Sequence, residues 1–161
     1  TSWPVRERSV KFLQGVVDQL TLFARHYAWL HSKPSKQSIT RFKQLSSDEL
    51  KSPLLEMPKI EFGQYLLDYA FEIGPSNANG EGPAVIDWSD IYAWQQLTGS
   101  VLTLWESLVI REISKAFVSQ YYQSDGAIIP SPYQPVEFDK SKVSSRIGNL
   151  LRSLATRKHS R

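Results

Sequence analysis

The fold of this chain is decided by residues 86–113, which read IDWSDIYAWQQLTGSVLTLWESLVIREI and contain three of its five tryptophans. Asp87 is a favourable N-cap residue, because its carboxylate can accept hydrogen bonds from the unpaired amides of a first helical turn. Gly99 suits the left-handed conformation in which many helices end. These two residues predict a helix over 88–98.

A second helix is predicted directly after the first. Thr103 and Glu106 have the spacing of a capping box, in which each side chain accepts a hydrogen bond from the backbone amide of the other residue. This helix should run to about Ser124 and end at Gly126, since glycine tolerates the left-handed conformation. A short Gly-Ser turn joins the two helices, so the centre of the chain is predicted to be a helical hairpin whose two helices are antiparallel or angled.

The large apolar residues of this hairpin either fill its core or face a partner. Two sets recur at helical spacing and are expected in the interior: Ile91, Trp94 and Leu97 in the first helix, and Trp105, Val109, Ile113 and Phe117 in the second. Trp88, Leu104 and Tyr122 lie off these two sets. Since aromatic residues are enriched at the centres of protein interfaces, we predict that these three residues bind a partner.

Upstream of the hairpin, residues 6–32 are predicted to form one long helix. Its apolar residues recur at steps of three and four positions: Val10, Leu13, Val16, Val17, Leu20, Phe23, Ala24, Tyr27 and Leu30. Pro34 ends the helix, because the residue before a proline is disfavoured in the helical conformation. Leu22 and Trp29 lie towards the opposite face. They are either stray surface residues or part of a second contact surface, with Trp29 as a further partner-binding candidate.

Polar segments separate the predicted helices. Residues 33–59 form a connector, in which Ser46 and Glu49 have the spacing to cap one short helical turn. Residues 60–73 have helical periodicity, with these apolar residues in register: Phe62, Leu66, Tyr69 and Ile73. The loop at 74–87 is rich in glycine, asparagine and proline, so we expect it to be flexible. No strand pair with a hairpin pattern is recognised.

The C-terminal part of the chain is predicted to be a linker followed by a helix. Residues 127–138 contain three prolines and should form an extended linker. Asp139 can cap a helix over 139–161 whose apolar face holds Val143, Ile147, Leu150, Leu151 and Leu154. Its other face holds Lys140, Lys142, Arg146, Arg152, Arg157 and Lys158. Four residues of this amphipathic helix are predicted to bind a partner: Ile147, Leu151, Arg146 and Arg152.

The charges are distributed unevenly, although the net charge is only +3. Residues 1–45 carry a net charge of +6, residues 46–139 a net charge of −10, and residues 140–161 a net charge of +7. Either the basic ends fold back on the acidic middle, or a basic end meets an acidic partner or nucleic acid.

The predicted fold is all-α: a small helical domain with a long N-terminal helix, a central helical hairpin and a proline-linked basic C-terminal helix. The helical domain covers residues 1–126, the linker 127–138 and the basic helix 139–161. No apolar run reaches the roughly 18 to 20 residues that a membrane span needs, so no membrane partner is expected.

The sequence lacks the patterns of an enzyme or a metal protein. The chain has no cysteine, which excludes disulfides and thiolate metal sites. His26 and His31 are five residues apart and do not share a helix face as two metal ligands would. Four acidic residues near the tryptophans are assigned to helix capping and ion pairing: Asp87, Asp90, Glu106 and Glu112. Neither an enzymatic activity nor a cofactor is predicted.

One stretch of the chain resembles a known family. From Ile86 to Gly99 the residues follow the pattern I-x-x-x-x-I-x-A-W-x-x-L-T-G, and from Leu102 to Ile110 they follow L-x-x-W-E-x-x-x-I. A helix of the type YLLDYAFEIG and a loop of the type NGEGP precede them. Residues 60–122 therefore resemble the short C-terminal module of the tail assembly chaperones of long-tailed bacteriophages.

The resemblance implies a non-enzymatic protein of the host cytoplasm during infection. Its partners would be other tail proteins, chiefly the tape-measure protein and also the tail tube protein, which it would keep soluble until the tail polymerises; self-association into a homo-oligomer is a further alternative. A second reading is a structural or adaptor protein of the phage tail or connector, which would remain in the virion. A third is a nucleic-acid-binding regulator, which the basic ends favour and the acidic middle opposes.

Overall fold

The structure is a computed structural model that describes residues 3–47, 52–78 and 80–135. The predicted basic helix at 139–161, with the candidates Ile147, Leu151, Arg146 and Arg152, lies outside the described residues. So does Glu49 of the predicted cap in the connector. Within the described part of the chain the fold is all-α, as predicted, apart from one very short pair of strands.

The described elements follow one another along the chain with short connections. The α-helices are α1 (Trp3–His31), α2 (Arg41–Ser47), α3 (Gln64–Ile73), α4 (Trp88–Thr98) and α5 (Leu104–Ser124). A single 3-10 turn at Pro53–Leu55 lies between α2 and α3. The strands are β1 (Asn77–Ala78) and β2 (Pro83–Ala84). The long N-terminal helix and both helices of the central pair are confirmed.

Helices α1 and α5 form the largest interface of the molecule and run in the same direction. The ring of Tyr27 in α1 lies 6.2 Å from that of Phe117 in α5. Just beyond the ends of both helices, the backbone amide of Gly126 donates to the carbonyl oxygen of Lys33 at 2.8 Å. Since the two C-terminal ends meet, the N-terminal parts of α1 and α5 also lie at one end of the molecule.

Helix α3 runs in this same direction, and α4 runs against it. Phe12 in α1 contacts Phe62 just before α3, while Tyr27 contacts Phe71 near the end of α3. Beside α4, the order is reversed: Asn77, which follows α3, donates to Asp90 in the first turn of α4 at 2.6 Å, whereas Tyr69, earlier in α3, packs on Trp94 further along α4. The C-terminal end of α4 therefore lies beside the N-terminal ends of α3 and α5.

The core lies between α1, α3 and α5. It is formed by these buried residues: Val16, Leu20, Ala24, Ala28, Leu66, Leu67, Ala70, Ile86, Ile91, Val109, Ile110, Ile113, Ala116 and Phe117. Full burial of one large aliphatic side chain contributes about 1.5–3 kcal/mol before the cost of ordering the chain. From Val16 to Tyr27, the apolar residues predicted for α1 thus pack in or against this core, as do those predicted for α5.

The central pair of helices begins and ends where the sequence predicts. Asp87 and Asp90 form a capping box at the start of α4, and Thr103 and Glu106 form another at the start of α5. The packing of the pair differs from the predicted hairpin, because α5 packs mainly on α1 and α3, and α4 packs on α3. No facing helix covers Leu97, so this predicted interior residue is 88% exposed.

Two predictions for the connecting segments are wrong. Ser46 lies inside α2, where its hydroxyl donates to the carbonyl oxygen of Phe42 at 2.6 Å, so it is not an N-cap. The loop at 74–87, where no strand pair was recognised in the sequence, contains an antiparallel strand pair in which Asn77 pairs with Ala84. Strands of only two residues are too short to show an alternating pattern in sequence.

Candidate partner-binding surface

Exposed apolar side chains gather at one end of the molecule. They lie on the N-terminal half of α1, around the first turns of α3 and α5, and around the C-terminal end of α4. We call this surface the apolar end; it consists of Val10, Phe12, Leu13, Phe62, Tyr65, Leu97, Val101, Leu104 and Leu108. Single exposed apolar residues are ordinary, but several that gather at one end of a molecule are typical of an interaction surface.

Side-chain contacts hold the apolar end together. Phe12 and Phe62 meet edge to face, with ring centroids 5.2 Å apart. The phenol of Tyr65 donates to a carboxylate oxygen of Glu106 at 2.8 Å, which joins the first turns of α3 and α5. At this end of the molecule, side-chain contacts therefore join α1 to α3 and α3 to α5.

The apolar face of α1 continues past the core into this surface. Val16 and Leu20 are buried against α3 and α5, whereas Val10 and Leu13 are 61% and 37% exposed. All four residues belong to the apolar set that the sequence predicts at helical spacing. This set is uncovered at Val10 and Leu13, because α1 extends beyond the helices that cover it. An apolar face without a neighbour is available to another segment of protein.

Hydrogen bonds fix the rim where α3 meets α5. The backbone amide and hydroxyl of Thr103 both donate to Glu106 at 2.7 Å, and these bonds, with the bond from Tyr65, lower the pKa of the carboxyl group. Burial and the bond to Glu106 raise the pKa of Tyr65 to about 12. At neutral pH Glu106 is therefore ionised and Tyr65 is protonated, so the phenol can donate its hydrogen bond to the carboxylate.

The α3 side of the apolar end carries acidic side chains. Residues 60–110 contain seven acidic residues and no lysine, arginine or histidine. On α3, Asp68 and Glu72 are both exposed and follow Tyr65 on the same face of the helix. Neither of them, nor Glu61, makes an ion pair with another described residue. A binding segment with basic side chains would therefore be attracted to this side.

The structure places the predicted partner-binding residues at different locations. Leu104 is 73% exposed and belongs to the apolar end. Trp88 is half exposed beneath the guanidinium of Arg111, which lies 4.7 Å from its ring. Arg111 follows Leu108 by three positions on α5, so Trp88 extends the apolar end along this helix. Tyr122 is exposed near the far end of α5, on the strand pair's loop, and does not belong to this surface.

Trp29, the fourth described candidate, is buried and does not lie on an exposed surface. Its indole nitrogen donates to the carbonyl oxygen of Ile129 at 3.1 Å, and the guanidinium of Arg41 lies 5.2 Å from its ring. The predicted second contact surface of α1 does exist. It is covered by residues 127–135 of the same chain, which we call the strap.

The strap runs along α1 from its C-terminal end towards its N-terminal half. Ile129 lies at Trp29, Tyr133 lies at His26 with ring centroids 5.5 Å apart, and Pro135 lines a cleft with Leu22 and Gln19. The proline-rich segment is thus extended, as its composition suggested, but it packs on the helical body and ends in a buried proline.

The apolar end contains residues that the sequence did not single out for binding. Phe12 does not belong to the predicted apolar face of α1, and Phe62 was placed inside the helix of 60–73. Gly63, with φ of 80°, precedes α3 as its N-cap, so Phe62 falls outside the helix and is exposed. The glycine directly after Phe62 was the available indication in the sequence. Glycine permits a left-handed turn at the start of a helix, so the phenylalanine before it can lie outside that helix.

Other kinds of site find little support in the described residues. The cleft between α1 and α5 has a volume of about 390 Å³, and two residues that line it, Lys115 and Glu112, are paired with each other at 2.6 Å. Within the described part of the chain no three histidine, aspartate or glutamate side chains are arranged to hold a metal ion. Among the described helices, none combines the length and the apolar character that crossing a membrane requires.

Comparisons with known proteins leave the apolar end as the main indication of function. A scan against protein-family models, a search of curated proteins and a search of solved structures each found no match to this chain.

Proposed function

We propose that this chain is a non-enzymatic tail assembly chaperone of a long-tailed bacteriophage, which binds tail proteins such as the tape-measure protein through its apolar end. The observation that carries this proposal is the group of nine exposed apolar side chains at one end of the helical core. The resemblance of residues 60–122 to the family supplies the client. Such a protein acts in the host cytoplasm before the tail is complete.

A helical client suits this surface for a physical reason. Amphipathic helices bind apolar surfaces through residues at positions i, i+3 or i+4, and i+7. Each large side chain that becomes fully buried contributes about 1.5–3 kcal/mol, from which the cost of association and ordering is subtracted. Burial of a few such residues gives a contact that holds an unassembled client and still releases it.

Co-expression with the tape-measure protein tests the proposal. The soluble yield of that protein should rise when this chain is present. The double variant Leu104→Ser, Leu108→Ser should lose the effect, because both side chains are exposed and can be changed without disturbing the core. Tyr92→Ser is the matched control, since Tyr92 is 63% exposed on the outer face of α4, away from the apolar end.

Two results would count against the proposal. If the wild-type chain does not change the client's soluble yield, the chaperone function is wrong. If the double variant acts as well as the wild type, the function stands but the apolar end is not its surface.

A structural or adaptor protein of the virion is the second candidate. The strap favours it, because the contacts of Ile129 and Tyr133 hold the strap on α1 and so fix where the rest of the chain begins, as an anchored arm requires. Mass spectrometry of purified mature particles separates the two candidates. A chaperone is absent from the particle, whereas a structural protein is present in a fixed number of copies.

A further inference from the structure

The strap ends close to the apolar end. Pro135, its last residue, lines the same cleft as Gln19 on α1. The side-chain oxygen of Gln19 accepts a hydrogen bond from the backbone amide of Glu61 at 3.1 Å, and Phe62 of the apolar end is the next residue. The chain therefore leaves the described body close to the edge of the exposed apolar surface.

The sequence that follows has the chemistry that this surface would bind. Residues 140–161 carry seven lysines and arginines and no acidic residue, and their apolar residues recur with the period of a helix. The apolar end offers exposed apolar side chains, and Glu61, Asp68 and Glu72 lie on its α3 side. Apolar faces and opposite charges thus match. Residues 139–161 themselves lie outside the described residues.

We propose that the apolar end is the docking surface for the chain's own segment 139–157, bound within the same molecule. In this arrangement the apolar positions of the segment cover the apolar end, and its basic positions meet the acidic side of α3. A client then binds in competition with the segment. The inference does not depend on what the client is.

The short distance to be spanned and the high effective concentration favour docking within one molecule over docking on a second copy. Gln19 and Phe12 are seven residues apart on α1, which is about 10 Å along the helix axis. Residues 136–142 span roughly 20 Å when extended, so the segment reaches the apolar end without strain. A short tether gives an effective concentration of about millimolar, which exceeds the concentration of other copies in an ordinary solution.

Photo-crosslinking within the full-length chain tests the proposal. Phe12, which is 52% exposed in the apolar end, is replaced by p-benzoylphenylalanine. Irradiation should give cross-linked peptides that join position 12 to residues 139–157. The same replacement at Ile128, which is 92% exposed beside the opposite end of α1, should not. Mixing isotopically light and heavy chains shows whether each cross-link joins one molecule or two.

A pair of matched variants tests whether apolar docking causes the cross-link. Ile147→Asp with Leu151→Asp changes the apolar positions and should abolish it. Ser145→Asp with Asn149→Asp changes the net charge equally at polar positions of the predicted helix and should retain it. Cross-links between light and heavy chains alone, no cross-link to 139–157, or equal loss in both variants would overturn the proposal. None of these measurements contains a client, so they are independent of the chaperone test.

Discussion

At the scale of single residues, Arg41 joins three parts of the molecule. It is buried at the start of α2, and its guanidinium donates to the hydroxyl of Ser32 at 2.7 Å and to the carbonyl oxygen of Ser124 at 3.0 Å. It also donates to the carbonyl oxygens of Trp29 and Ala127. The last carbonyl groups of a helix lack partners within the helix, so one planar side chain satisfies the C-terminal ends of α1 and α5 and the start of the strap.

We predict that Arg41→Lys lowers the free energy of unfolding by about 2–4 kcal/mol. Lysine keeps the charge but cannot donate in several fixed directions, and buried carbonyl oxygens lose their donors. Chemical denaturation monitored by circular dichroism measures the change. Arg25→Lys is the control, because Arg25 is exposed on α1 and such a change shifts stability by less than about 0.5 kcal/mol. Equal stability of the two variants would contradict this role.

His26 makes stability depend on pH in a defined direction. It is fully buried in α1, with Nε2 donating to the carbonyl oxygen of Leu54 at 2.9 Å and Nδ1 lying 3.1 Å from the hydroxyl of Ser131. Burial lowers the pKa of His26, although hydrogen bonds with the backbone of Leu54 and Glu56 act the other way. The unfolded chain therefore binds this proton more readily than the folded chain does.

Acidification from pH 7 to pH 5 should consequently destabilise the wild type more than His26→Gln. The contribution of His26 is fully present above the unfolded pKa of about 6.5 and falls as the pH drops below it, by at most about 1.4 kcal/mol per pH unit. Glutamine has a similar donor and acceptor but does not titrate. Glu106, whose pKa is lowered, loses its contribution only at more acidic pH. Parallel pH profiles of unfolding free energy for the two proteins would refute the prediction.

At the scale of elements, the boundaries of α4 and α5 are predictable because capping is local. Asp87, Thr103 and Glu106 make their cap contacts within four residues, so the sequence contains the whole interaction. The helices on which α4 and α5 pack cannot be predicted from such local contacts. Residues 86–113 carry no information on α1, which provides the main interface of α5, so the prediction that the apolar residues of the pair fill an interior of their own was wrong.

Two glycines in or beside helices should respond to the same substitution with opposite signs. Gly15→Ala in α1 should raise the free energy of unfolding by about 0.5–1 kcal/mol, because alanine favours a helix interior and the added methyl group meets nothing within 4 Å. Gly99→Ala should destabilise by about 1–2 kcal/mol, because Gly99 has φ of 70° and only the backbone strain changes. Thermal unfolding of both variants tests the pair, and a shift of the same sign in both would contradict it.

At the scale of the whole molecule, the apolar end was only partly predictable from the sequence. Leu104 was recognised because it lies off the core positions of its own helix. Val10 and Leu13 were not, since they follow the apolar period of α1 and only the tertiary structure shows that their neighbours are missing. Periodicity identifies the apolar face of a helix, whereas the length of the helices packed beside it decides which residues of that face remain exposed.

The strap is part of the folded body of the molecule. The sequence places the boundary at residue 126, but the strap covers Trp29 and His26 and buries Pro135. A chain that ends after Pro135 keeps both rings covered, whereas a chain that ends after Gly126 exposes them. We expect the shorter chain to lose about 3 kcal/mol or more, because it removes the hydrogen bond to Trp29 along with the apolar cover.

Differential scanning calorimetry of the two chains measures this loss as a difference in melting temperature. For a body of this size, about 3 kcal/mol corresponds to roughly 10 °C. The double variant Ile129→Ser, Tyr133→Ser in the chain that ends after Pro135 is the control for truncation itself. Its melting temperature should lie between those of the two truncated chains, because the backbone carbonyl of residue 129 still accepts the bond from Trp29 while the apolar contacts are lost. Equal melting temperatures for chains ending at 126 and 135 would show that the strap does not stabilise the body.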